Sequence, residues 1–375
     1  MLKPKSFTRA DLSLMGQWWW TVDRLALLSI VLMMLIGVIL SMAGSPSVAT
    51  HLGLPSFYFV KRHMLFLPLA GMLMIGLSLV NQKILCRLAF GLFILSIFMM
   101  ILTFFVGVEI KGARRWVNLL GFSLQPSEFV KPALAVLAAW MFCLKNQIPD
   151  FPGQWVATGF FLITLALLAL QPDFGMIVVV SAFWCTQLFM TGIPMFWTVV
   201  CILLAAAGMV LAYFTLPHVA GRIDRFLDPA SGDVYGDKYQ INRSLEAFMN
   251  GGITGQGPGE GIVKKNIPDV HADFIFAVAG EEFGLLFCWV VVGVFAFFIV
   301  RSLMRLMQQN NMFRTIAVTG LVTQFGLQTI VNMSSTLRLM PTKGMTLPFI
   351  SYGGSSLLAC AVTVGMILSL TRKQS

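Results

Sequence analysis

In KKNIPDVHADFIFAVAGEE, residues 264–282, a basic start passes through a proline and a histidine into an apolar run. Asp273 stands at the mouth of that run, and Glu281 and Glu282 lie inside it. A carboxylate at such a boundary, next to His271 and downstream of Lys264 and Lys265, can stay ionised while partly desolvated, which suits a general base. The plainer use is a first-turn acid complementing a helix dipole, and Asp269 could serve that end as well. On an ideal helix Glu281 lies about 12 Å deeper than Asp273 and about 80° around, with Glu282 roughly opposite. These two therefore cannot share one site with Asp273, but an acid inside a span is by default a functional or buried-pair candidate.

The same logic covers LLGFSLQPSEFVKPALAVL, residues 119–137. Glu128 and Lys131 are three apart, hence neighbours on a helix, and such a pair can be a ligand site or purely structural, holding helices in register. Just before it, Lys111, Arg114 and Arg115 stand beside Trp116, which reads as a segment contacting phosphates or lipid headgroups. The stretch GGITGQGPGEG, residues 251–261, does not match a nucleotide-binding glycine pattern and reads as a flexible loop outside the membrane.

What must position these groups is set by composition. Of 375 residues, 57% are hydrophobic and 11% charged, against about 25% charged in soluble domains. The mean hydropathy is +0.82, so the chain is an integral membrane protein. Its apolar segments are long and unbroken rather than alternating, which excludes a β-barrel and gives an all-α polytopic bundle. Ten spans are expected at 22–43, 58–80, 84–107, 126–144, 155–170, 173–191, 195–214, 273–300, 313–335 and 349–370. The whole chain, 1–375, reads as one membrane domain with a long polar connection at about 215–272. Six cysteines lie in or beside apolar runs with no CxxC pair, so neither a disulfide framework nor a zinc site is expected. The formal charge of +10 is not read as a nucleic-acid footprint.

An even number of spans puts both termini on one side. The bases of the N-terminal arm and the tail make that side cytoplasmic, which places the 215–272 connection outside. The outer face nevertheless keeps many bases, and a phosphate-bearing ligand is the simplest reason for them. Prolines near helix starts (Pro55, Pro126, Pro172, Pro268, Pro348) mark N-termini whose dipoles would favour an anion. Prolines that merely stop helices explain the same pattern.

Read together, GARRWVNLLGFSLQPSEFVK, QPDFG, RFLDP, YQINRSLEAF, PDVHADFIFAVAGEEFG and LPFISYGGSS resemble the SEDS family, polytopic peptidoglycan polymerases. PTKGMTLPFISYGGSS and the GEE after the span mouth are similar to the division (FtsW-type) branch rather than the elongation (RodA-type) branch. The resemblance implies a glycosyltransferase that polymerises lipid II and releases undecaprenyl diphosphate for septal wall synthesis. It puts the family's catalytic aspartate on Asp273 and its cavity pair on Glu128 and Lys131. It also implies a class B penicillin-binding protein as partner, with other divisome membrane proteins, in the bacterial inner membrane. Where the family usually has glutamate and threonine, this chain has Asp269 and Ala272, so a hydroxyl beside the acid is missing.

Such chemistry needs few groups. A diphosphate is already a good leaving group, so one base and compensating cations suffice, unlike the paired carboxylates of glycosidases. Asp273 would deprotonate the acceptor hydroxyl. Lys131, Arg114, Arg62 and Lys343, with His271 alongside, would contact the diphosphate-bearing substrate. A divalent cation, Mg or Mn, could share that task, but no ligand cluster requires one. The rival readings are a lipid II flippase and a non-catalytic divisome scaffold.

Overall fold

The computed structural model describes residues 13–110, 113–119, 122–145, 147–215, 217–227, 237–307, 310–341 and 344–373. The helices are α1 Leu14–Thr21, α2 Arg24–His51, α3 Tyr58–Leu79, α4 Gln82–Val106, α5 Pro126–Leu144, α6 Gly153–Leu170, α7 Phe174–Met190, α8 Met195–Thr215, α9 Pro217–Leu227, α10 Asp237–Gly251, α11 Ile275–Leu306, α12 Met312–Thr336 and α13 Gly354–Leu370. Eight of them (α2 to α6, α8, α11 and α12) are long and apolar enough to cross a membrane, and α7 and α13 are shorter apolar helices. These ten fall on the ten expected spans.

Local chemistry sets their starts. Asp23 caps α2 by accepting from the Leu25 and Ala26 amides, Asp173 caps α7 through the Met176 amide, and Asn311 caps α12 through that of Arg314. Such caps satisfy donors that a helix leaves open. Pro126 occupies the first turn of α5, where its missing N–H costs nothing. α5 and α12 form the buried centre, and almost nothing of α8 is buried. Around that centre α3 packs on α13, α4 on α5, α2 on α11 and α7 on α12.

The two chain ends meet. Lys373 N donates to Thr21 O at 3.1 Å and Arg372 Nε to Thr21 Oγ1 at 3.0 Å, as an even number of crossings requires. At the same end Arg301 and Arg305 of α11 donate to Asp23 Oδ2 at 2.8 and 2.5 Å.

Three features depart from the expected picture. A small antiparallel sheet, β1 Val108–Ile110, β2 Ala113–Leu119 and β3 Phe122–Leu124, in the order β1-β2-β3, interrupts the all-helical bundle. Among the described residues, the 215–272 connection contains α9, α10 and a 3-10 turn at Val263–Asn266. Finally, α11 is broken at Gly284 (φ 76°, ψ −177°). The glycine-rich stretch fills this break. Gln256 N and Gly257 N donate to the Glu281 and Glu282 carbonyls at 3.0 Å each, while Leu285 N and Leu286 N donate to Gly252 O and Ile253 O at 3.0 and 3.3 Å. Backbone groups freed in an apolar surrounding must find partners, so this stretch is a fitted part of the bundle, not a flexible loop. A Cβ at Gly284 would collide with Ile253 and Gly255 backbone atoms.

Candidate active site

Asp273 lies one turn before α11. Its turn is closed by Ala272 N and Asp273 N, both donating to Asp269 O at 3.0 and 3.1 Å, with Asp269 in the left-handed region (φ 52°). The three following carbonyls are each held from the other side. Tyr352 N donates to His271 O at 3.0 Å, Ser351 Oγ to Ala272 O at 2.6 Å and Asn332 Nδ2 to Asp273 O at 2.9 Å. The side chain of Asp273 is half-buried, and a Cβ at Gly344 would come within 3.5 Å of its Oδ2. Backbone position is thus fixed by Asn332 and the FISY segment, residues 349–352. Ser351 supplies a hydroxyl to the backbone of residue 272, beside the acid, so the turn is held although Ala272 carries none.

His271 is buried. Its ring packs on Phe59 (centroids 4.1 Å apart) and near Tyr352 (5.4 Å). Burial pushes its pKa down to about 4, with Asp269 pulling weakly the other way. Its buried ring packs against the turn and helps to position it. Arg62 stands over the Tyr58 ring at 5.0 Å and beside the Tyr352 hydroxyl, which brings a half-buried cation into the same aromatic cluster. Lys343 lies outside the described residues.

Glu128 and Lys131 do pair, at 2.8 Å, but Lys131 is only 1% exposed and also donates to Gln328 Oε1 at 2.9 Å. Gln328 Nε2 reaches Thr346 O at 3.1 Å. One turn along α12, Asn332 Nδ2 reaches Met345 O at 2.6 Å as well as Asp273 O. The buried pair thus braces the segment beside the acid. Lys131 is thus held inside the bundle between Glu128 and Gln328. The link that the sequence reading missed is the stripe Gln324, Gln328, Asn332 on α12. Its signal was polar residues at i, i+4, i+8 within an apolar run, one face of one helix.

Arg114 sits on β2 with its side chain half exposed, 3.5 Å from Glu109 of the same sheet. Its neighbour Arg115 is the structural base: Nε donates to Gln171 O at 2.9 Å, Nη2 to Pro172 O at 2.5 Å, and Asp173 lies 3.6 Å away. The two glutamates of α11 are spent on the fold. Glu281 accepts from the Ile262, Val263 and Lys264 amides at 2.8, 2.7 and 2.8 Å and from Asn250 Nδ2 at 3.0 Å. Glu282 pairs with buried Lys264, whose pKa burial lowers while Glu281 raises it. Among the described residues no group of three or more His, Cys, Asp or Glu could hold a metal ion.

A family model described as "Cell cycle protein", covering FtsW, RodA and SpoVE, matches residues 23–375. The chain belongs to this family. Its relatives within it are of the FtsW type. It is 42% identical to the "Probable peptidoglycan glycosyltransferase FtsW" of Caulobacter vibrioides over 98% of this chain and 94% of the relative. It is 33% identical to that of Trichlorobacter lovleyi over 93% of each. Among solved structures, it is similar to a chain of the structure titled "Structural coordination of polymerization and crosslinking by a peptidoglycan synthase complex". There the TM-score is 0.77 and the identity 24%, over 94% of this chain and 98% of that one. The rod shape determining protein RodA of Thermus thermophilus matches with TM-score 0.66 and 24% identity, over 95% and 99%. Both share the fold. The FtsW-type SEDS protein described here is thus a multi-pass membrane protein.

Proposed function

We propose that this FtsW-type protein is a peptidoglycan glycosyltransferase that polymerises lipid II for septal wall synthesis, with Asp273 as general base. Relatives named as peptidoglycan glycosyltransferases over almost the whole chain support the activity. The observation that carries the site is a half-buried carboxylate whose own backbone and two preceding carbonyls are all held by α12 and the 351–352 segment. A base fixed within hydrogen-bond reach of its proton is the geometric requirement for such catalysis.

In the mechanism, Asp273 takes the proton from an acceptor sugar hydroxyl as its oxygen attacks the anomeric carbon of the donor sugar. The bond to the lipid diphosphate breaks, and that group leaves with its charge. Arg62, held over Tyr58 and beside Tyr352, and Lys343 compensate the departing diphosphate. Glu128 and Lys131 orient Gln328, which holds Thr346 O, and Asn332 holds Met345 O, so that the acid keeps its aim. A Mg or Mn ion, where bound, would share the compensation of the diphosphate charge.

Function at the septum needs partners: a class B penicillin-binding protein that crosslinks the new strands, and other divisome membrane proteins. A structural neighbour described as a peptidoglycan synthase complex supports the first. Both termini lie on the cytoplasmic side in this reading. Purified protein with its partner in detergent, given lipid II, should yield glycan strands longer than the disaccharide. A flippase or a scaffold would yield none, because no sealed membrane remains to be crossed.

A further inference from the structure

A second cavity lies away from the acid, between one face of α2 and the break in α11. It has a volume of about 760 Å³, within the range of roughly 300–1,000 Å³ typical of ligand sites. Its apolar wall is a stripe at helical spacing, Ile39, Met42, Ala43 and Pro46, faced by Phe283. At its polar end stand Lys265 and the buried pair Lys264–Glu282. One group there is unsatisfied and one faces solvent. Glu282 is 1% exposed, yet its Oε2 has no hydrogen-bond partner, a costly state for a buried oxygen. Lys265 is exposed at the same end.

A ligand that satisfies both must carry an anion for Lys265, an N–H donor for Glu282 and a long apolar tail. We propose that the cleft holds one aminophospholipid of the phosphatidylethanolamine type. Its acyl chain lies along the α2 stripe, its phosphate faces Lys265 and its ammonium donates to the open Glu282 oxygen. A trimethylated choline has no N–H to give. A glycerol hydroxyl gives only a neutral donor, about half as strong toward a carboxylate as a charged one. The bound lipid would join α2 to the segment where α11 is broken.

The test uses full-length protein in nanodiscs made of equal parts dioleoyl-phosphatidylethanolamine, -phosphatidylglycerol and -phosphatidylcholine. Retained lipids are counted by native mass spectrometry after release. One phosphatidylethanolamine should be retained about tenfold over either other lipid. Lys265→Ala, an exposed position, and Ala43→Phe, which fills the apolar wall, should each lower that retention about tenfold with unchanged thermal unfolding. Equal retention of the three lipids overturns the proposal, as does retention that neither variant alters. It also fails if the wild-type protein keeps no lipid while a transpeptidase membrane helix crosslinks at Ala43→Cys, since the cleft is then a docking groove.

Discussion

Asp273 and Glu281 are eight residues apart in one stretch and carry the same chemical group, yet the fold treats them in opposite ways. Glu281 is fully buried, and its two oxygens accept from three backbone amides and one asparagine. For Asp273 it is the backbone carbonyl that is held, while the side chain stays half-buried. A carboxylate whose lone pairs are consumed by amides organises the chain, here the 262–264 turn that leads into the acid. One whose backbone is held is aimed by the chain around it. Of the three acids, two fasten a broken helix to the loop that fills it, and the third stands at the span mouth with its backbone held.

That contrast can be broken experimentally. The largest expected change in stability is at Glu281. Glu281→Ala strands four donors and should cost on the order of 3–5 kcal/mol, read as loss of folded protein in thermal unfolding. Gly284→Val should cost somewhat less, from the left-handed backbone and the collision with the 253–255 segment, and should release the glycine-rich stretch to hydrogen exchange. Lys131→Ala sharpens the distinction between touching and positioning. It should lower kcat about 10- to 100-fold with KM within about twofold, whereas a lost phosphate contact would raise KM.

A change of another kind is the pH dependence set by His271. Its folded pKa, near 4, lies below the usual 6.5, so the unfolded chain binds the proton first. Stability should be unchanged above about pH 6.5 and should fall as pH drops towards 4, by up to about 3 kcal/mol. His271→Phe should flatten that slope; a slope that persists would place the titration elsewhere.

The bundle was legible because a membrane span is a run of apolar residues about twenty long, and each of the ten such runs became a helix. Asp273 stood out as a candidate because an acid close to an apolar span is a functional candidate by default. What was not legible has physical causes. The β1-β2-β3 sheet is made of strands of three to seven residues, too short to stand out between long helices. The break in α11 depends on hydrogen bonds from residues some thirty positions earlier, which no local pattern reveals, although GEEFG carried the glycine. The Glu128–Lys131 pair was legible from its spacing, but its burial was not, because α12 and α13 packing on α5 decides it. Arg114 and Arg115 are adjacent on a strand and so point to opposite faces. The inward choice fell on Arg115.

The account stands or falls on the proton acceptor. Asp273→Asn keeps the shape of the side chain and removes its basicity. In detergent, with the transpeptidase partner present and lipid II as substrate, the variant should polymerise about 10²- to 10⁴-fold more slowly while unfolding at the wild-type temperature and binding the partner normally. Strand synthesis at the wild-type rate by that variant would contradict it.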